Sequence, residues 1–162
     1  SPRSSHATSN VTALGAQTAM AHIEGEVVIK RPVDEVFDFV AEERNEPRYN
    51  PRMLRAEKVT DGPIGEGTEF RAETATRRGS AEMAIEITRY ERPSRLESLT
   101  RLSNMDIAGA LTFDPVPEGT RMQWVWDVRP RGVLKLIGPI SSRMGERQER
   151  TIWTNLKRVL EA

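Results

Sequence analysis

Residues 120–130 read TRMQWVWDVRP, and every second position carries a large apolar side chain: Met122, Trp124, Trp126 and Val128. The positions between them are Arg121, Gln123, Val125 and Asp127, mostly polar. A period of two marks a strand with one face buried, because successive side chains leave a strand on opposite sides. Two of the three tryptophans in the chain therefore share a buried face. They either fill a core or line a hollow.

The same alternation recurs upstream. TEFRAETAT (68–76) sets Thr68, Phe70, Ala72 and Thr74 against Glu69, Arg71 and Glu73. SAEMAIEITRY (80–90) sets Ala81, Met83, Ile85 and Ile87 against Glu82, Ala84, Glu86 and Thr88. RLESLTRL (95–102) carries Leu96, Ser98, Thr100 and Leu102 on one side, and NMDIAGALTF (104–113) carries Met105, Ile107, Gly109, Leu111 and Phe113. A weaker strand, LRAEKVTD, and the first one, HIEGEVVIK, bring the number to seven. The turns between strands are short: RRG, ERPS and DPVPEG, with the longer GPIGEG after the weak strand. Such a series describes an antiparallel sheet wet on one side.

Two segments change period. In RPVDEVFDFVAEE, Pro32 suits a first helical turn, Asp34 and Glu35 favour the positive end of the dipole, and Val33, Val36, Phe37 and Val40 form an apolar stripe. RNEPRYNPRML follows, with Pro47 and Pro51 allowing only a short helix or turn. In the last thirty residues, Ile137, Ile140, Met144, Ile152, Leu156, Val159 and Leu160 fall at helical spacing. Gly138 marks a break and Pro139 a start, so a helix from Ile140 to Leu160 would run about 31 Å, enough to lie across a whole sheet. The fold class expected is α+β: one curved sheet around a long C-terminal helix, with two short helices after the first strand.

The totals narrow the function. Lys+Arg and Asp+Glu are 24 each, a balance that argues against a nucleic-acid partner. Twenty of the 24 cations are Arg, scattered along the chain. There is no Cys, and no apolar run reaches the roughly 20 residues a membrane span needs. Residues 1–21, rich in Ser, Thr and Ala, lack the pattern of a secretory leader; they are expected to be a flexible extension, a candidate for sequence added ahead of a natural start at Met20. One domain, 22–162, and a cytoplasmic setting follow as expectations. Nothing in the sequence speaks to oligomeric state.

Several stretches together resemble the START-like, or SRPBCC, superfamily of polyketide cyclases/dehydrases and lipid-transport proteins: IKRPVDEVFDFVAEERNEPRYNP, GPIGEGTEF, EITRYERPSRLE, LTFDPVPEGTRM and the closing NLKRVLEA. The resemblance covers residues 22–162. It implies a helix-grip fold, a seven-stranded sheet holding the terminal helix with a cavity for an apolar ligand between them. It brings no shared catalytic motif.

Strand parity supplies an interior independently of the family. The residues expected to line a cavity are Phe70, Met83, Ile85, Ser98, Thr100, Ile107, Leu111, Trp124 and Trp126 from the strands, with Met144, Gln148 and Ile152 from the helix. Tyr49 is expected at the cavity mouth. This interior is apolar with a few hydroxyls and holds no Asp, Glu, His or Lys, the usual chemistry of a small-molecule pocket. Arg89 is the one titratable strand residue that could reach it. His6 and His22 lie far from the interior stretches, so no metal site and no Ser–His–Asp arrangement is expected, and no cofactor is implied. Three readings remain: a protein that encloses a hydrophobic or amphipathic small molecule (lipid, quinone or polyketide-like), a cyclase, aromatase or dehydratase using the same cavity, or a ligand-free interaction module. A titratable group inside the cavity would favour the second, and a filled interior the third.

Overall fold

Every expected strand forms. A computed structural model describes residues 21–132 and 142–162, and its strands are β1 (Ala21–Ile29), β2 (Met53–Lys58), β3 (Glu69–Thr76), β4 (Gly79–Glu91), β5 (Arg95–Arg101), β6 (Met105–Val116) and β7 (Gly119–Pro130). They make one antiparallel sheet in the order β1-β7-β6-β5-β4-β3-β2. The order is a meander from β2 to β7 with β1 added beside β7, because alternating strands joined by tight turns pair with their sequence neighbours. Helix α1 (Val33–Ala41) and a 3₁₀ helix (Glu43–Arg48) follow β1, and α2 (Ser142–Glu161) closes the chain. Pro32 is the N-cap of α1, one position ahead of the first helical turn. The expected break at Gly138, the helix start at Pro139, Ile137, Ile140 and the extension before residue 21 lie outside the described residues.

The inner face of the sheet and the apolar rows of α1 and α2 form the core. Phe37 of α1 sits at its centre, with its ring edge-on to Tyr90 (5.2 Å) and Phe113 (5.1 Å). The far end of α2 is tied to β1 by polar contacts: Lys157 Nζ donates to the Val28 carbonyl (2.8 Å), and the Lys30 backbone N–H donates to Glu161 (2.8 Å). The outer face carries the charged alternates, paired across strands as in Arg55–Glu73 and Arg101–Glu86.

The tryptophan strand is accommodated by glycines on both of its neighbours. Gly25 of β1 is in register with Trp124, and Gly109 of β6 with Trp126. A Cβ on Gly25 would lie 2.4 Å from the Trp124 ring. On Gly109 it would lie 2.6 Å from the Trp126 ring and 1.9 Å from the Val125 carbonyl oxygen. Each indole therefore lies down over the rung where its partner strand has no side chain. The absence of a side chain at Gly109 admits the Trp126 ring.

Gly109→Ala should consequently destabilise the fold by about 3 kcal/mol or prevent folding, at the upper end of overpacking costs. Gly25→Ala should cost about 1–3 kcal/mol, since only a side chain obstructs it. Gly65, where an added Cβ meets nothing within 4 Å, is the control and should change stability by less than about 0.5 kcal/mol. Urea unfolding midpoints measure all three, and an unaffected Gly109→Ala would contradict the packing described.

Candidate ligand cavity

A cavity of about 210 Å³ lies between the inner sheet face and the wall formed by the 3₁₀ helix and α2. One water needs only about 10–15 Å³ of such space, and drug-sized pockets run to about 300–1,000 Å³. The space suits a small molecule or one end of a longer one. Its sheet side is Met83 and Ile85 from β4, Leu96, Ser98 and Thr100 from β5, Ile107 and Leu111 from β6, and Trp126 and Val128 from β7. Its other side is more polar: Glu43, Glu46, Tyr49 and Asn50 from the 3₁₀ helix and the turn after it, with Gln148, Glu149, Ile152 and Trp153 from α2.

Of the residues expected at the site, Met83, Ile85, Ser98, Thr100, Ile107, Leu111, Trp126, Gln148 and Ile152 meet around this cavity, and so does Tyr49. Three do not. Phe70 (1 % exposed) and Trp124 (2 % exposed) are close-packed core residues, Trp124 lying against Trp153 with ring centroids 5.9 Å apart. Of the two indoles on β7, one fills the core and the other lines the hollow. Met144 is 66 % exposed. The buried row of α2 runs Ile152, Trp153, Leu156 and Leu160, and at about 100° per residue Met144 lies roughly 140° from the middle of that row.

Tyr49 forms the inner wall and not an exposed rim. It is 3 % exposed, set between Phe39 (6.1 Å) and Trp153 (5.8 Å), and Asn155 Nδ2 donates to its carbonyl (3.1 Å). Burial pushes its hydroxyl well above the ordinary tyrosine pKa, and the carboxyls of Glu46, Glu43 and Glu149 add to that. Gln148 Oε1 accepts from Arg52 Nη1 (3.0 Å), a link between α2 and the turn before β2. Arg89 does not reach the interior: a bulge between Ile87 and Arg89 turns it outward to Glu91 (2.6 Å) and brings Tyr90 in against Phe37. Thr151 bonds back to the Arg147 carbonyl, and Glu146 and Arg150, spaced as a helical ion pair, form none.

The expectation of an interior without ionisable groups is overturned by Glu149. Its Oε2 accepts hydrogen bonds from two indoles, Trp153 Nε1 (2.8 Å) and Trp126 Nε1 (3.0 Å), and its Oε1 has no hydrogen-bond partner among the described residues. Burial raises its pKa from the ordinary 4.5 to about 7; the Trp153 bond pulls it down, Glu46 pushes it up, and the Trp126 bond pulls it down again. Desolvation outweighs the two donors, so near neutral pH this carboxyl can hold or release a proton. Glu43 is also lifted well above the carboxylate range, first by burial and then by the facing carboxyl of Glu46. Its Oε2 is shut off from solvent and has no hydrogen-bond partner among the described residues. Asn50 Nδ2 donates to Glu46 (2.8 Å). Among the described residues none of these three carboxyls pairs with a cation.

A curved seven-stranded antiparallel sheet holding a C-terminal helix, with a cavity between the two, defines the helix-grip, START-like class of proteins. The family model described as polyketide cyclase / dehydrase and lipid transport matches residues 20–161, and the chain belongs to that family. Among solved structures it is similar to the START superfamily protein of Mycobacterium smegmatis (13 % identity, TM-score 0.65, covering 86 % of this chain and 97 % of that one). It is also similar to the ginseng major latex-like protein 151 of Panax ginseng (9 %, 0.68, 86 % and 97 %) and to a protein of Chromobacterium violaceum (12 %, 0.66, 88 % and 99 %). Likeness at these identities is a likeness of fold. No curated protein matches the sequence significantly. Among the described residues no helix is long and apolar enough to cross a membrane.

Glu149 gives the stability a pH dependence of definite sign. Between about pH 4.5 and 7 the folded protein keeps a proton that the unfolded chain has released, so stability falls as pH rises through that window and then levels off. The contribution is on the order of 3 kcal/mol. Glu149→Gln, which keeps an acceptor for both indoles, should flatten the difference between urea midpoints at pH 5 and pH 8. His22, whose pKa is raised chiefly by its bond to Asp127 and then by Glu24, gives a pH dependence of the same sign in both proteins, which cancels in the comparison. Equal pH slopes for the two proteins would refute the role given to Glu149.

Proposed function

We propose that this protein encloses a hydrophobic or amphipathic small molecule of the lipid, quinone or polyketide kind in the space between sheet and α2. The observation that carries the reading is the cavity itself: about 210 Å³, walled by β4–β7 side chains that are apolar except for Ser98 and Thr100. Apolar area gives affinity and a few placed polar groups give orientation. The family description, which joins polyketide cyclases and dehydrases to lipid transport, points the same way. A cytoplasmic setting is part of this proposal. The cavity counts against a ligand-free interaction module, and the large apolar residues most exposed among those described, Leu54, Val59, Val125 and Met144, are few.

A second reading, a cyclase, aromatase or dehydratase on a polyketide-like chain, has one specific support. Glu149 offers a free carboxyl oxygen to the cavity with a pKa of about 7, the range in which a general acid or base works best at neutral pH. In this reading Glu149 moves the proton, Ser98 and Thr100 orient substrate oxygens, and the apolar walls exclude bulk water.

Native mass spectrometry of freshly purified protein, followed by extraction, tests the first reading. A retained species of a few hundred daltons is expected for wild type, and Thr100→Phe, which fills the cavity, should lose it while keeping a wild-type circular dichroism spectrum. A clean mass, with no change in tryptophan fluorescence on adding lipids or aromatic polyketides, would refute it. If the second reading holds, Glu149→Gln binds the extracted compound but loses turnover by about 10²-fold or more.

A further inference from the structure

The polar end of the cavity is acidic and, among the described residues, carries no positive group of its own. Glu43 and Glu46 enter it from the 3₁₀ helix and Glu149 from α2, and no Lys, Arg or His is among the described lining residues. The guanidinium of Arg52 reaches the lining at Gln148 from an exposed position and makes no bond to the three carboxyls. One oxygen is left for an occupant, Glu149 Oε1, after the two indoles have taken Oε2. Behind it Glu43 Oε2 is buried and has no hydrogen-bond partner among the described residues. The aromatic surfaces of Trp126, Trp153 and Tyr49 complete this end, and aromatic faces attract cations.

We propose that the cavity selects an amphiphile whose head group is a protonated amine, over one with an alcohol or an acid head. The inference rests on the reading of the cavity as a binding site. A protonated amine supplies the N–H donor that Glu149 Oε1 lacks, and its positive charge favours the ionised form of the carboxyls that line this end. A carboxylate or phosphate head would bring a further negative charge beside these carboxyls, where no cation among the described residues lines the space to receive it. The alkyl or aryl body then lies on Met83, Ile85, Ile107 and Leu111.

The test compares three ligands of one length, octylamine, 1-octanol and octanoate, by isothermal titration calorimetry at pH 7.5 with tryptophan fluorescence as a second readout. Octylamine should bind about tenfold more tightly than 1-octanol, the ratio expected from one charge-assisted hydrogen bond, and octanoate should bind most weakly. Glu149→Gln should lose about tenfold toward octylamine and stay within about twofold of wild type toward 1-octanol. Glu43→Gln gives the same comparison from the other helix should the first variant fold poorly. If wild type binds 1-octanol or octanoate as tightly as octylamine, selection for an amine is wrong and the cavity reading stands. If none of the three binds, the cavity reading falls and this inference with it. A full amine preference retained in both variants would also overturn it.

Discussion

Two indoles on one strand need two gaps in the sheet, and the rest of the structure depends on how those gaps are supplied. Adjacent strands are only about 4.8 Å apart, so a ring can lie flat along the sheet only where the neighbouring strand has no side chain. Gly25 and Gly109 meet that condition, one on each side of β7, at the rungs in register with Trp124 and Trp126. With its ring lying over Gly109, Trp126 presents its N–H to α2, where it meets Glu149. A bulkier residue at either rung would lift a ring into the space that α2 and the cavity occupy.

The carboxyl of Glu149 is the polar consequence of that packing. Burying a charge in an apolar interior is costly unless donors surround it, and here two indole N–H groups share one oxygen. They do not outweigh desolvation, and the group comes to rest with a pKa of about 7. Trp153 belongs to the same unit: it bonds Glu149 within α2, stacks near Trp124 and Tyr49, and so connects core, 3₁₀ helix and cavity wall.

Most of the fold was legible because strands report their buried face at a period of two, and the parity of β4 to β7 placed Met83, Ile85, Ser98, Thr100, Ile107, Leu111 and Trp126 around one space. Packing depth was not legible. Phe70 and Trp124 share that parity, yet they lie where the space is filled. The acidic groups escaped for two different reasons. Glu149 sits in GERQERT, where charges surround it in sequence and only the phase of α2, set by Ile152, Trp153, Leu156 and Leu160, turns it inward. A stripe drawn through Met144 has the wrong phase, whereas the spacing of Glu149, Trp153, Leu156 and Leu160 carried the correct one. Glu43 and Glu46 lie in a 3₁₀ helix too short to show any period.

The pairing of β1 with β7 also bears on how the chain reaches this state. His22 and Asp127, which face each other across that pair, are 105 residues apart in sequence, whereas every other strand pairs with its immediate successor. Closing so long a loop carries a greater entropic cost than closing a local hairpin, and contacts of this range slow folding. The meander from β2 to β7 can assemble step by step, but until β1 docks it exposes the outer edge of β7, an invitation to pair with another chain. In this topology the strand that begins the sheet is the one best placed to complete it, and the Gly25 rung for Trp124 exists only once it has arrived.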